Sequence, residues 1–267
     1  MSEGTRGIGP LASGGELEAM FREDIDDILS QWDYDDEQVV ARIIRAEDGR
    51  EVVQMRLDLG LLQMESDDRP DGRRPEGFVT YLDYLRDRYE VLDHEGKLTG
   101  NECSELDREL LQFYHRRVCW LALREFGRAV RDAKHTLALM DFARVVSPSE
   151  EWDQSHERHR PLVLFHLAQA AALKYLASSG PEAAIARLDR GVEHIEKLAA
   201  IDRDAYDSDE SRGCQDLVDR LEELRDAVRE QYSVDRTLEE KLDDAVATED
   251  YEMAARLRDE LDRRRAN

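Results

Sequence analysis

Leu17, Met20, Phe21, Ile25 and Ile28 recur three to four residues apart, and this spacing predicts a helix over 17–30. The period then shortens. Val39, Val40, Ile43 and Ile44 lead into Glu47-Asp48-Gly49, and Val53, Met55, Leu57, Leu59 and Leu61 alternate beyond it. Two β-rich runs about an Asp-Gly turn predict a β-hairpin. A lone hairpin cannot bury its apolar face, so the helix before or after should cover it. Residues 66–77 hold Pro70, Gly72, Pro75 and Gly77 and read as a loop. Phe78 to Leu92 returns to helical spacing through Tyr81, Leu82, Leu85 and Tyr89. Residues 16–95 therefore form a small α+β unit behind a flexible Gly/Ser-rich tail, 1–15.

From Ser104 the pattern is helical almost without a break, so the fold class is mainly α. The expected pairs are 104–123 with 126–142 and 161–178 with 181–199, with a polar, solvated linker at 147–160 and an acidic connector at 201–211. An internal repeat runs through 102–200. Trp120 is followed nine residues on by Ala129, and Tyr175 by Ala184, at an offset of 55. The alanine lets two helices approach, and the aromatic fills the wedge between them. This resembles the tetratricopeptide pattern of paired helices. Arg116 and Arg117 stand where that pattern has leucine and glycine. The resemblance implies a short array of helical hairpins whose concave face is a candidate peptide-binding surface.

Leu217, Leu221, Leu224 and Val228 draw a coiled-coil-like seam on a helix over 212–233. That seam can close within the chain or between chains. Two short amphipathic stretches follow. Leu238, Leu242 and Ala245 mark one stripe, and Tyr251, Ala254, Ala255, Leu257, Arg258 and Leu261 mark the other, with Thr248 as the expected cap of the second helix. The run Glu249-Asp-Tyr-Glu-x-Ala-Ala-x-Leu-Arg-Asp259 strongly resembles the UVR motif over 236–263. This helical hairpin is shared by the excision-repair proteins UvrB and UvrC and by Clp-type ATPases and their adaptors. The resemblance implies a protein–protein module that pairs with another such hairpin or with a partner chain. Leu238, Leu242, Tyr251, Ala255 and Leu257 would give the apolar contact, and Glu252, Arg258 and Asp259 the polar register. Gln54 to Met64 with Arg69-Pro-Asp-Gly72 also resembles the start of bacterial UvrB/UvrC motif-containing proteins.

Charge narrows the partners. The 267 residues carry 62 acidic and 38 basic side chains, a net of -24. Within residues 1–68 alone, 18 acids face 6 bases. Such a field disfavours direct nucleic-acid binding and an anionic membrane surface. No run of 18 apolar residues spans a bilayer. Cys103, Cys119 and Cys214 form no CxxC pair, which suits a reducing, cytoplasmic setting.

Chemistry at motif spacing is sparse. His156-x-x-His159 is the tight histidine pair, in a stretch that reads as solvated. His115 and His135 can meet across the first helical hairpin. Asp202, Asp204, Asp207 and Asp209 lack the glycine and closing glutamate of a calcium loop. Glu23, Asp24, Asp26 and Asp27 read as a solubilising face. No GxxxxGK[ST] phosphate loop and no nucleophile motif occur. The expectation is a protein without catalytic, cofactor or metal residues that docks a protein partner, another UVR-containing protein or a second copy of itself. Two alternatives stand beside it: an accessory factor of nucleotide excision repair that binds a UvrB- or UvrC-type protein, and a small enzyme in the N-terminal α+β unit.

Overall fold

The computed structural model describes residues 24–91, 96–201 and 208–266. The predicted tail 1–15, the first half of the predicted helix 17–30 and the core of the acidic connector, 202–207, lie outside the described residues. The chain is mainly α, with a three-stranded antiparallel sheet near its N-terminus.

A short helix, α1 (Asp26–Ser30), precedes strands β1 (Ala41–Arg45), β2 (Glu51–Leu57) and β3 (Gly60–Glu65) in the order β1-β2-β3. The hairpin at Asp48-Gly49 forms as expected, with Gly49 at φ +87 in its turn. The alternating run 53–61 is not one strand. It folds back between Leu57 and Gly60, which are paired in register, and leaves Leu59 at the tip 88 % exposed. A two-residue turn preserves the period of two, so alternation alone does not reveal it. Gly60 at the last turn position was the available signal.

The two faces of the sheet differ. Val53 and Met64 join Cys119, Trp120, Ala129 and Ala170 in one buried cluster. On the other face a polar ladder crosses the strands: Arg42 Nε donates to Gln54 Oε1 (2.8 Å), and Gln54 Nε2 to Gln63 Oε1 (2.9 Å). The Arg42 guanidinium lies 4.1 Å from the Trp32 ring centroid, so the segment after α1 covers this face.

The helices are α2 (Tyr81–Val91), α3 (Gly100–Ala122), α4 (Phe126–Val145), α5 (Glu150–Glu157), α6 (Arg160–Ser179), α7 (Pro181–Ile201) and α8 (Ser208–Tyr232). Thr99 and Glu102 form a full capping box at the start of α3. Gly180, at φ +91, ends α6, and Pro181 opens α7. The wedge expected from the repeat is present in the first hairpin, where Trp120 and Ala129 are both fully buried in one cluster. In the second, Ala184 is buried but Tyr175 is only partly so.

Residues 147–160 are not a solvated linker. Ser149 caps α5 by accepting from Trp152 N (3.2 Å), and Trp152 packs on the cluster of Leu82, Leu106 and Leu139. His156 is buried, with Nε2 2.8 Å from Asp107 Oδ1. The seam on α8 closes within the chain. Cys214, Val218 and Leu221 join Phe165, Leu188 and Ile195 in one core.

Arg116 and Arg117, the departures from the repeat pattern, are interior. Arg116 grips Asp132 through Nε (2.7 Å) and Nη2 (2.9 Å). Its Nη1 donates to the carbonyls of Glu65 (2.8 Å) and Asp68 (2.9 Å) and so ties α3 to the end of β3.

Candidate functional site

Beyond α8 the chain forms a second, smaller unit. Helices α9 (Leu238–Ala247) and α10 (Tyr251–Ala266) pack on each other as a hairpin. Thr237 is buried and starts α9 through a capping box: its hydroxyl accepts from Glu240 N (3.2 Å), and its own N–H donates to Glu240 Oε2 (2.7 Å). The turn runs through Glu249, at φ +58, with Asp250 N donating to Ala245 O (2.8 Å).

Thr248 does not cap α10. Its hydroxyl turns back to Asp244 O (2.8 Å) and closes α9. Asp250 caps α10 instead, accepting from Met253 N (3.0 Å). The carboxylate at a helix start also meets the positive end of the dipole.

Ala245 and Ala254 are the buried pair of the hairpin, and Leu238, Leu242, Ala255, Leu257 and Leu261 are half-buried. The small side chains allow the two helices to close. The hairpin is anchored at its root by Arg229 of α8, which pairs with Glu240 and donates to Asp235 O (3.0 Å). None of the four buried clusters of the body includes a residue of α9 or α10.

The model for the UvrB/uvrC motif matches residues 236–264, the span of this hairpin. The chain carries a UVR motif. No curated protein and no solved structure matches the chain.

The UVR hairpin presents a distinct apolar surface. Tyr251 is 68 % exposed, Val246 52 % and Met253 45 %. Met253 and Leu257 border a shallow groove with Ala245, rimmed by Lys241, Asp244 and Asp250. Of the eight residues expected to make contact, Tyr251, Glu252, Arg258 and Asp259 are exposed, whereas Leu238, Leu242, Ala255 and Leu257 lie partly inside the hairpin. Glu252 pairs with Arg256 (2.5 Å), and Arg258 with Asp259 (3.3 Å). Val246 and Met253 were missed because they sit off the stripes that the alanines define.

A second surface lies on the helical body. A groove between α4, α6 and α7 has Leu164, Leu167 and Ala168 among its apolar residues and Lys134, Lys174, Arg187, Arg190 and His194 as its charged or titratable ones. No acid lines it. The Arg187 guanidinium stacks 4.3 Å from the Tyr175 ring centroid. Gly191 lets α7 press onto α6 beneath this groove, since a Cβ there would stand 2.3 Å from Ala168 Cβ.

The remaining candidates are structural. His135 meets Glu109 Oε1 at 2.9 Å and stacks on Phe113 at 3.9 Å between centroids. His115 is half-buried beside Tyr114, and burial holds its imidazole below the ordinary range. Among the described residues no group of three or more His, Cys, Asp or Glu is arranged to hold a metal, and no helix is long and apolar enough to cross a membrane.

Proposed function

We propose that this protein is a non-catalytic adaptor that docks a second protein through the exposed apolar end of its UVR hairpin. The observation that carries the reading is Tyr251, a large side chain 68 % exposed on the very hairpin that matches the motif. A large exposed aromatic on a helix that also carries paired charges has the make-up of a contact anchor with a polar surround. The basic groove on α4, α6 and α7 offers a second contact for an acidic segment of a partner. Its charge is opposite to that of the chain as a whole, which favours selection by complementarity.

The motif match also favours a second reading, an accessory factor in excision repair. In that reading the captured protein is itself of the UvrB or UvrC type, and the same surface serves.

Tyr251→Asp is the direct test, because an exposed residue can be changed without disturbing the hairpin. Affinity capture with the full chain should lose its partner on this substitution while helical content stays the same. Unchanged capture would remove the hairpin from the docking role. The partner's identity, read by mass spectrometry, separates repair from other adaptor roles.

A further inference from the structure

Arg117 differs from the buried arginines Arg69, Arg116 and Arg160. Arg69 sits 3.0 Å from Glu105 and 3.2 Å from Asp71, Arg116 grips Asp132, and Arg160 lies between Glu157 and Asp141. Arg117 is 1 % exposed, yet it has neutral acceptors. Its Nη1 donates to Thr136 Oγ1 (2.8 Å), and its Nε to His166 Nδ1 (3.3 Å). Among the described residues no carboxylate forms an ion pair with it. Asp132, the acid whose charge acts on it, is already taken by Arg116, Trp120 Nε1 (3.0 Å) and Arg131. Three guanidiniums therefore crowd one interior carboxylate, and Arg117 is the one of them with no hydrogen bond to it. Burial pushes the Arg117 guanidinium down to about 10 and His166 to about 3, so at neutral pH the arginine is charged and the imidazole is not.

This charge borders a pocket of about 290 Å³ between α3, α4 and α6. Arg117 and Thr136 give its buried wall, and Leu162 and Val163 line it with apolar surface. Leu111, more than half exposed, stands at its rim, and Nη2 of Arg117 is bound to no protein acceptor described.

We propose that this pocket binds a small monocarboxylic acid with an apolar body, its carboxylate on Arg117 and its chain against Leu162 and Val163. The lining also includes Tyr114 and His159, but Arg117 is its one guanidinium, and this suits a singly charged headgroup, because a second ligand charge would need a second buried guanidinium. A guanidinium is built to accept a carboxylate through two parallel hydrogen bonds. The site is separate from the UVR hairpin and does not depend on that docking role.

Hexanoate is the probe, titrated into the full-length protein by calorimetry, with 1-hexanol and acetate as controls. Hexanoate should bind at least tenfold more tightly than either control and raise the melting temperature. Leu111→Trp, at the rim, should block binding while leaving Arg117 and the core in place. Arg117→Gln, if its helical spectrum is native, should reduce hexanoate affinity at least tenfold and leave hexanol unchanged. Equal binding of hexanoate and hexanol would overturn the ionic assignment. Equal binding of hexanoate and acetate would reduce the site to an anion hole without an apolar body. Hexanoate binding that survives Leu111→Trp would place it elsewhere, and no binding at all would overturn the proposal.

Discussion

Charged residues inside the helical body decide how it is held together, and periodicity does not find them. Arg116 and Arg117 stood out in the sequence only as misfits to a repeat. Their partners, Asp132 and Thr136, lie on the facing helix 16 and 19 residues away. Nothing in a helical pattern tells a buried arginine from a solvated one; the partner across the hairpin does. His166 shows the same contrast. Its site beside Arg117 and Arg220, with burial as the larger cause, holds its imidazole down to about 3. In the unfolded chain it titrates near 6.5. Between those values the unfolded chain takes up the extra proton. Stability is therefore full above pH 6.5 and is lost as pH falls toward 3, by about 1.4 kcal/mol per pH unit from this one group. Urea unfolding at pH 7 and pH 5 should show the wild type losing about 2 kcal/mol more than His166→Gln across that interval. Equal losses would mean that the ring is hydrated in the fold.

At the scale of elements, the helical hairpins were legible because apolar spacing and end signals agree. The sequence-based boundaries of 126–142 and 181–199 fall inside α4 and α7. The start of α3, read four residues late, carries Thr-x-x-Glu at 99–102, and the start of α9, read at its observed place, carries the same signal at 237–240. The helix α5 hid because its polar face dominates, and only Trp152 and His156 reach the interior. Gly191 illustrates what spacing cannot show. Helix α7 lies so close to α6 that any Cβ at 191 meets Ala168 Cβ at 2.3 Å and Leu221 Cδ1 at 3.1 Å. Ala would normally strengthen a helix interior by about 0.5–1 kcal/mol relative to Gly. Here overpacking opposes it, typically by about 1–3 kcal/mol, with helix shifts in the same direction. Gly191→Ala should lower stability measured by chemical denaturation. An increase would show that α6 and α7 are not locked at this crossing.

At the scale of the molecule, the body and the UVR hairpin hold themselves together separately. The sheet, α3, α4 and α6 share cores, and α8 completes the last of them by covering Phe165, Leu188 and Ile195. The α8 seam was legible as a seam, but its partner was not, because four apolar positions look the same whether a helix closes on its own chain or on another. The hairpin contributes nothing to those cores and is tied to α8 through Arg229 with Glu240 and Asp235. A partly exposed ion pair of this kind contributes at most about 1 kcal/mol. Removing residues 235–267 should therefore leave the melting transition of the body within about 3 °C of the full chain, since about 1 kcal/mol moves a domain of this size by roughly 2–4 °C. The α8 C-terminus stays closed in that truncation, because Val234 N still donates to Arg229 O (3.0 Å). Scanning calorimetry of both proteins decides the matter. A fall of more than about 5 °C would mean that the hairpin packs on the body and is a structural element, and the exposure of Tyr251 would then lose its weight as a docking signal.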